Sequence, residues 1–226
     1  MKFVSAIFTV VALLVGNQLG FAQGFVNLDF EDAIPPSNLT PGWTTYYGTA
    51  NNPTYEPAGV AYDDISLGGP SVFLEDKNDQ GTQPIQGNDS VLLFGAEGII
   101  YVPIEDQLSA SIGQNGTVPT TAQSMTFWCS QSQWLNGSSS LQVTFNGLPI
   151  DYLVTGSTAA YTIYAADISA YAGKTGQLLF TAPVDTVALL DNIQFSSSSV
   201  PEPSEFALSA LGALLLGFRR RRNFMR

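Results

Sequence analysis

Short stretches that alternate apolar and polar residues, separated by turn residues, run through the middle of this chain. Leu141, Val143 and Phe145 share one parity of such a stretch, and Asn146-Gly147 follows as a tight-turn signal. Between residues 23 and 195 no segment repeats its apolar residues with a helical period. Because a two-residue period puts alternate side chains on opposite faces of a sheet, the pattern predicts an all-β body, an antiparallel β-sandwich.

The predicted strands are short and evenly spaced, as in a sandwich. A polar segment rich in Gly, Pro and Asn, from about residue 31 to 69, is expected to form loops and short edge strands, and residues 114–121 a turn-rich connection. The strands are predicted at residues 25–30, 71–74, 91–94, 99–104, 108–112, 124–129, 141–145, 150–154, 161–166, 177–182 and 187–195, with 150–154 as the returning strand of the hairpin.

The N-terminus has the pattern of a secretory signal peptide. Lys2 precedes an uncharged apolar segment at residues 3–15, and small residues follow as far as Ala22. Cleavage after Ala22 would leave a mature chain that begins at Gln23. The alternative is an N-terminal core helix, although no capping residue marks its start.

The C-terminus has three parts: a proline-bounded acidic segment, an uncharged apolar run and a cluster of arginines. Prolines deny the backbone amide donors, so a helix is expected only after them, over residues 205–218. The uncharged run, residues 206–218, would be about 20 Å long as a helix, against a hydrocarbon layer of roughly 30 Å, so it is a marginal membrane span. The arginines would remain on the cytoplasmic side. The residues of the first and last parts are Val200, Pro201, Glu202, Pro203, Ser204, Arg219, Arg220, Arg221 and Arg222.

This tail resembles the PEP-CTERM sorting signal of Gram-negative bacteria that make extracellular polysaccharide. The resemblance implies recognition by an inner-membrane exosortase, a transient membrane anchor, and release toward the cell surface or extracellular matrix. The alternative is a simple tail anchor on a proline-rich stalk. The expected organisation is a signal peptide at residues 1–22, a β-sandwich domain at 23–195, a serine linker at 196–199 and the sorting signal at 200–226.

The charge distribution excludes nucleic acid as a partner. The chain has 8 Lys and Arg against 19 Asp and Glu, and its net charge is −11. Lys77 and Lys174 are the only basic residues between positions 23 and 200. Such a body repels phosphate backbones, whereas it tolerates divalent cations and neutral glycans. The chain also has no histidine, which excludes a histidine-dependent triad and an ordinary zinc site.

Cys129 is the single cysteine of the chain. It follows Phe127 and Trp128 in a strand-like run, and we expect it to be a small buried hydrophobic residue. The alternative is an intermolecular disulfide between two exported chains.

From residue 124 to 195 the order of features is similar to that of galactose-binding-like jelly-roll modules, which are common among carbohydrate-binding domains. The matching features are Phe127-Trp128, the hairpin at 143–147, the turn at 167–173, Leu190-Asp191-Asn192-Ile193, and an opening segment Leu28-Asp29-Phe30-Glu31.

The resemblance implies a structural calcium ion between Glu31 and Asp191, with Asp29 or Asp32 near. On the predicted last strand, Asp191 shares its parity with Val187, Leu189, Ile193 and Phe195, so its carboxylate falls on an apolar face. A buried charge there must be hydrogen-bonded, protonated or bound to a cation. The alternative to calcium is that Asp191 accepts hydrogen bonds from backbone amides.

Aromatic residues are candidates for sugar stacking, because pyranose rings present C–H faces that pack on aromatic planes. Trp134, in a polar segment between two strands, is the best candidate, followed by Trp43, which is equally suited to the core. Trp128 is expected in the core. Tyr46 and Tyr47 complete the candidate set.

Neighbouring carboxylates also allow an alternative function, a polysaccharide-active enzyme. Acidic residues adjacent in sequence are usually solvated and point in different directions, so a non-catalytic protein is the expectation. A permanently anchored adhesion protein is a further alternative. The candidate carboxylate pairs are Asp63-Asp64, Glu75-Asp76 and Glu105-Asp106.

Overall fold

The computed structural model describes residues 24–49, 52–63, 71–78, 81–95, 108–133 and 140–200. These residues form an all-β structure in which the only helical element is a 3-10 turn, Ser169–Tyr171. The strands are β1 (Thr44–Thr49), β2 (Asn52–Pro57), β3 (Val60–Tyr62), β4 (Ser71–Asp76), β5 (Asp89–Gly95), β6 (Ser109–Thr117), β7 (Ser124–Gln133), β8 (Gln142–Phe145), β9 (Leu148–Pro149), β10 (Tyr152–Ser157), β11 (Thr162–Asp167), β12 (Thr175–Ala182) and β13 (Thr186–Ser196).

The strands form two sheets. One has six strands in the order β2-β1-β6-β12-β8-β9, and the other has seven in the order β10-β11-β7-β13-β5-β4-β3. Neighbouring strands pair antiparallel except β3 and β4, which are parallel, so the predicted β-sandwich is confirmed but it is not wholly antiparallel.

The main core lies between the two sheets. It joins Ile112 and Phe180 of the six-stranded sheet to Phe127 and Leu190 of the seven-stranded sheet, all of them fully buried. The rings of Phe127 and Phe180 meet edge to face, with centroids 5.5 Å apart. A smaller apolar cluster of Phe73, Leu92 and Leu189 lies apart from the main core, and Ile85 packs against it.

The first predicted strand, residues 25–30, is wrong. Asn27 and Phe30 have positive φ angles of 47° and 59°, which an extended strand does not accommodate. The segment turns twice instead. Its contacts with the six-stranded sheet include a bridge between Gly24 and Thr117 and two hydrogen bonds, in which the Gln114 side chain accepts the Val26 amide at 2.6 Å and donates to the Val26 carbonyl at 3.0 Å. The alternation predicted burial correctly at Phe30, which is fully buried, but not at Val26, which is exposed, or at Asn27, which is buried.

The predicted hairpin after Phe145 exists, but its returning strand is short. Asn146 and Gly147 have φ angles of 50° and 76°, which the tight turn requires, and Phe145 pairs with Leu148. The chain then crosses to the other sheet, where β10 pairs with β11 rather than with β8. Strand β6 likewise continues to Thr117, through residues expected to form a connection.

The two ends of the described chain lie side by side. The rings of Phe25 and Phe195 stack with centroids 5.4 Å apart. Strand β13 ends at Ser196, and the carbonyl of Ser198 accepts a hydrogen bond of 2.7 Å from the Ser124 hydroxyl, so part of the predicted serine linker packs on the body.

The predicted signal peptide, the sorting signal at residues 200–226 beyond Val200 and the predicted strand at 99–104 lie outside the described residues. Among the helical residues that are described, none belongs to a segment with the length and hydropathy needed to cross a membrane.

Candidate functional site

Glu31 and Asp191, the predicted metal ligands, both bind the loop at residues 86–90. One oxygen of Asp191, Oδ2, accepts hydrogen bonds from the Gln86 amide at 2.9 Å and from the Ser90 hydroxyl at 2.7 Å. The other oxygen, Oδ1, accepts the Asn192 amide at 2.6 Å. Asp191 is 1% exposed, and both of its carboxylate oxygens thus accept hydrogen bonds from donors of the protein itself.

A β-bulge determines the face on which Asp191 lies. Asp191 pairs with Trp128 and Gln194 with Thr126, so β13 carries one extra residue between these pairs, and Asn192 has a φ of 48°. The prediction that Asp191 and Ile193 share a face is therefore wrong. Ile193 packs in the main core, whereas Asp191 follows Leu189 on the opposite face of the sheet.

Glu31 holds the same loop from its other end. Its Oε1 accepts the amides of Asn88 at 2.7 Å and Asp89 at 3.1 Å, and its Oε2 accepts the Asn88 side-chain amide at 2.7 Å. Gly87 makes this approach possible, because a Cβ there would lie 2.0 Å from Oε1 and its φ is +68°. No other residue type fits this position without moving the carboxylate.

Two carboxyl groups at the loop, those of Asp191 and Asp89, have raised pKa values. Burial raises the pKa of Asp191 from 3.8 to about 6, although the hydrogen bonds from Ser90 and Gln86 act in the opposite direction. Burial, with a further contribution from the charge of Glu31, raises the pKa of Asp89 from 3.8 to about 6. Both groups therefore titrate near the acid end of the physiological range.

The atoms around Glu31 and Asp191 show how well this site fits a calcium ion. Calcium needs six to eight oxygen ligands. The oxygens of Glu31 and Asp191 face N–H and O–H donors, which would have to give way to the ion. In the described part of the chain, no three His, Cys, Asp or Glu residues gather closely enough to hold a metal ion. This geometry favours the amide-binding alternative, and calcium binding stays a prediction.

Some of the candidate catalytic carboxylates belong to the described residues. Glu75 has no exposed surface, so a substrate does not reach it. Asp76 accepts hydrogen bonds from the Tyr62 hydroxyl and from the Asn78 side-chain amide, and the bond to Asp76 raises the pKa of Tyr62 to about 12. Asp63 accepts the Asp76 amide at 3.1 Å. The remaining candidates, Asp64, Glu105 and Asp106, lie outside the described residues.

Trp43 belongs to the core. It is 8% exposed, its Nε1 donates to the Asn27 carbonyl at 2.8 Å, and its ring lies 5.5 Å from that of Phe30. It therefore offers no open ring face to a sugar. Trp134, the other predicted ligand-binding residue, lies outside the described residues.

Trp128 differs from its expected place in the core. It is half-buried, and its ring stacks on Tyr161 at 4.7 Å with an interplanar angle of 12°. Its neighbour Cys129 is buried, as expected, and burial raises the pKa of that thiol to about 12. A protonated, inaccessible thiol does not form a disulfide with a second chain.

A groove with a volume of about 570 Å³ opens where β7, β10 and β11 of one sheet meet β8 and β9 of the other. We call it the Tyr152–Tyr164 groove, and its principal lining residues are Gln131, Leu141, Val143, Asp151, Tyr152 and Tyr164. The rings of Tyr152 and Tyr164 meet edge to face at 5.1 Å.

Hydrogen bonds fix the polar groups of this groove. Gln131 donates from Nε2 to the Tyr164 hydroxyl at 3.3 Å and accepts the Leu141 amide at 3.1 Å. The Tyr152 hydroxyl donates to the Leu141 carbonyl. Sequence reasoning missed this group of residues, because three separate strands supply them and none of the strands carries a motif for the site.

Comparisons with known proteins gave a weak structural likeness. No protein-family model and no curated protein matches it. Among solved structures it is similar to the enzymatically active domain of tailspike protein 4 from bacteriophage CBA120, with 13% identity and a TM-score of 0.36. The match covers 69% of this chain and 19% of that chain, about a fifth of its length. A likeness this weak carries no argument about function.

The described residues thus define a class by structure alone, an acidic β-sandwich. Its polar features are a carboxylate-bound loop and a groove lined by Gln131, Tyr152, Tyr164 and the exposed Asp151.

Proposed function

We propose that this protein is an exported, non-catalytic component of the cell surface or extracellular matrix, sorted by its C-terminal tail. The observation that carries the proposal is the order of the tail itself: Val200 to Ser204, then an apolar run, then Arg219 to Arg222. An exosortase-type enzyme is the proposed partner, and the inner membrane is the proposed transient anchor.

The position of the chain ends supports this proposal. The described sandwich is hydrogen-bonded as far as Ser198, two residues before Val200. Phe25 and Phe195 stack, so the two ends of the described sandwich lie beside each other.

The proposed role outside the cell is structural or glycan-contacting, and a galactose-binding-like jelly roll is the finer fold that we propose for the sandwich. The acidic body, with two lysines between residues 23 and 200, suits neutral polymers better than anionic ones. The enzyme alternative predicts that incubation with the polysaccharide matrix of the host releases sugar, whereas a non-catalytic protein releases none.

Tail processing in the native host tests the sorting proposal. Replacing Pro201, Glu202 and Pro203 with alanine should abolish tail removal, seen as a larger band on a gel. A matched control replaces Ser197 and Ser199, which adjoin the motif, and should be processed like the parent. Equal processing of both variants would overturn the proposal. Mass spectrometry of exported material distinguishes a permanent anchor, because that alternative predicts an intact tail.

A further inference from the structure

We infer that the Tyr152–Tyr164 groove binds a segment of a neutral polysaccharide. The inference rests on the glycan-contacting part of the proposed function, and it assigns that contact to a site. It follows from the size of the groove, from the chemistry of its lining and from its charge.

The size of the groove suits a short run of sugar residues. Its volume of about 570 Å³ falls within the range of roughly 300–1,000 Å³ that is typical of small-molecule sites. The groove lies at the edge of the sandwich, where β9 ends one sheet and β10 the other. A polymer can therefore enter and leave along this edge without threading through the body.

The lining combines ring surfaces with neutral polar groups. Tyr152 and Tyr164 are half-buried, and Phe127 supports both rings at centroid distances of 5.2 Å and 5.3 Å. Burial raises the pKa of both tyrosines, so their hydroxyls are uncharged at neutral pH. Phenol rings beside an amide match a sugar, which has C–H faces to pack and hydroxyls to bond.

The groove is also preorganised. The side-chain amide of Gln131 is hydrogen-bonded through its nitrogen to Tyr164 and through its oxygen to the Leu141 backbone amide. The Tyr152 hydroxyl is hydrogen-bonded to the Leu141 carbonyl. These bonds hold the side chains in one arrangement before a ligand arrives, so ligand binding costs less side-chain entropy.

Charge selects among the polysaccharides. Within the described lining, Asp151 is the one residue of the types Asp, Glu, Lys and Arg, and it is exposed. An exposed carboxylate accepts hydrogen bonds from sugar hydroxyls, but it repels the carboxylate of a uronic acid. The groove should therefore prefer neutral sugars to acidic ones.

Calorimetric titration of the full chain in mild detergent tests this assignment. The probes are hexasaccharides of glucose, mannose and galactose, and hexamers of uronic acids. We expect at least one neutral probe to bind, and Asp151→Trp, which replaces a carboxylate of the lining with an indole, to change that affinity about tenfold or more, downward if the indole fills the groove and upward if it stacks on the sugar. The matched control is Asp32→Trp, because Asp32 is an exposed aspartate outside the groove. This control should bind like the parent.

A second variant tests the charge argument. Asp151→Asn removes the carboxylate and should lower the ratio of the affinity for neutral hexamers to the affinity for uronic hexamers. Asp32→Asn should leave this ratio unchanged. Both positions are exposed, so the variants should melt like the parent, and melting curves verify this.

Two results of the titration would contradict the groove assignment. If a neutral probe binds and both tryptophan variants bind it equally, the groove assignment is overturned while a glycan-contacting role stands. If none of the neutral hexamers binds, or uronic hexamers bind more tightly, the inference is overturned. Sorting by the tail is then judged separately, from the processing experiment.

Discussion

The loop at residues 86–90 and the Tyr152–Tyr164 groove both gather polar side chains, yet they use them in opposite ways. At the loop, charged carboxylates point inward, and donors of the protein itself occupy their oxygens. At the groove, neutral amide and phenol groups lie beside open volume. The groove groups are also hydrogen-bonded within the protein, so the difference is one of access: Asp191 is enclosed, whereas the groove groups border an open volume.

Removing the Asp191 side chain should give the largest effect. Asp191→Ala leaves the Gln86 amide, the Ser90 hydroxyl and the Asn192 amide without this acceptor in a buried place. We expect a loss of about 2–4 kcal/mol in the free energy of unfolding, measured by urea denaturation. Asp32→Ala, at an exposed position, should change it by less than about 0.5 kcal/mol. Equal changes in the free energy of unfolding for the two substitutions would contradict a structural role for Asp191.

The pH dependence of stability tests the same loop. The pKa of Asp191 rises from 3.8 to about 6 on folding, so between these values the native state binds more protons than the unfolded chain. The free energy of unfolding contributed by this group therefore falls as pH rises from about 4 to about 6, and it is constant above that range.

Asp191→Asn should remove this contribution, which is about 3 kcal/mol for a rise in pKa from 3.8 to about 6. The measurement is the difference between the parent and variant denaturation curves across that pH range. Asp167→Asn provides a control of opposite sign, because the backbone hydrogen bond from Ser169 lowers the pKa of Asp167. Parallel curves for the parent and Asp191→Asn would contradict the prediction.

The groove should tolerate a loss of polar groups better than the loop does. Tyr152→Phe removes one hydroxyl bonded to the Leu141 carbonyl and should cost about 0.5–1.5 kcal/mol in the free energy of unfolding. Tyr161→Phe, a tyrosine outside the groove, should cost less. A loss from Tyr152→Phe as large as that from Asp191→Ala would show that the groove also holds the fold.

Calcium should have the smallest effect. Because internal donors already occupy the oxygens of Glu31 and Asp191, we expect the melting temperature to be the same with calcium and with a chelator. A clear rise in melting temperature with calcium, lost in a Glu31→Gln variant, would instead establish the predicted metal site and reverse the comparison between loop and groove.

Local signals in the sequence account for much of the fold. The alternation in residues 141–145 and the Asn146-Gly147 turn predicted β8 and the tight turn, because both depend on neighbouring residues only. Asp191 was singled out correctly as a buried carboxyl that needs partners. Its donors could not be predicted, because Gln86 and Ser90 lie more than a hundred residues earlier in the chain.

The amino-acid sequence by itself determined that this chain forms strands and carries an acidic body, because composition and short-range periodicity do not depend on contacts between distant residues. Tertiary structure alone decided which strands pair, where the bulge at Asn192 turns Asp191 away from the main core, and that Gln131, Tyr152 and Tyr164 meet in one groove. Those outcomes depend on contacts between distant strands. A one-residue bulge also moves the side chains that follow it in the strand to the opposite face of the sheet.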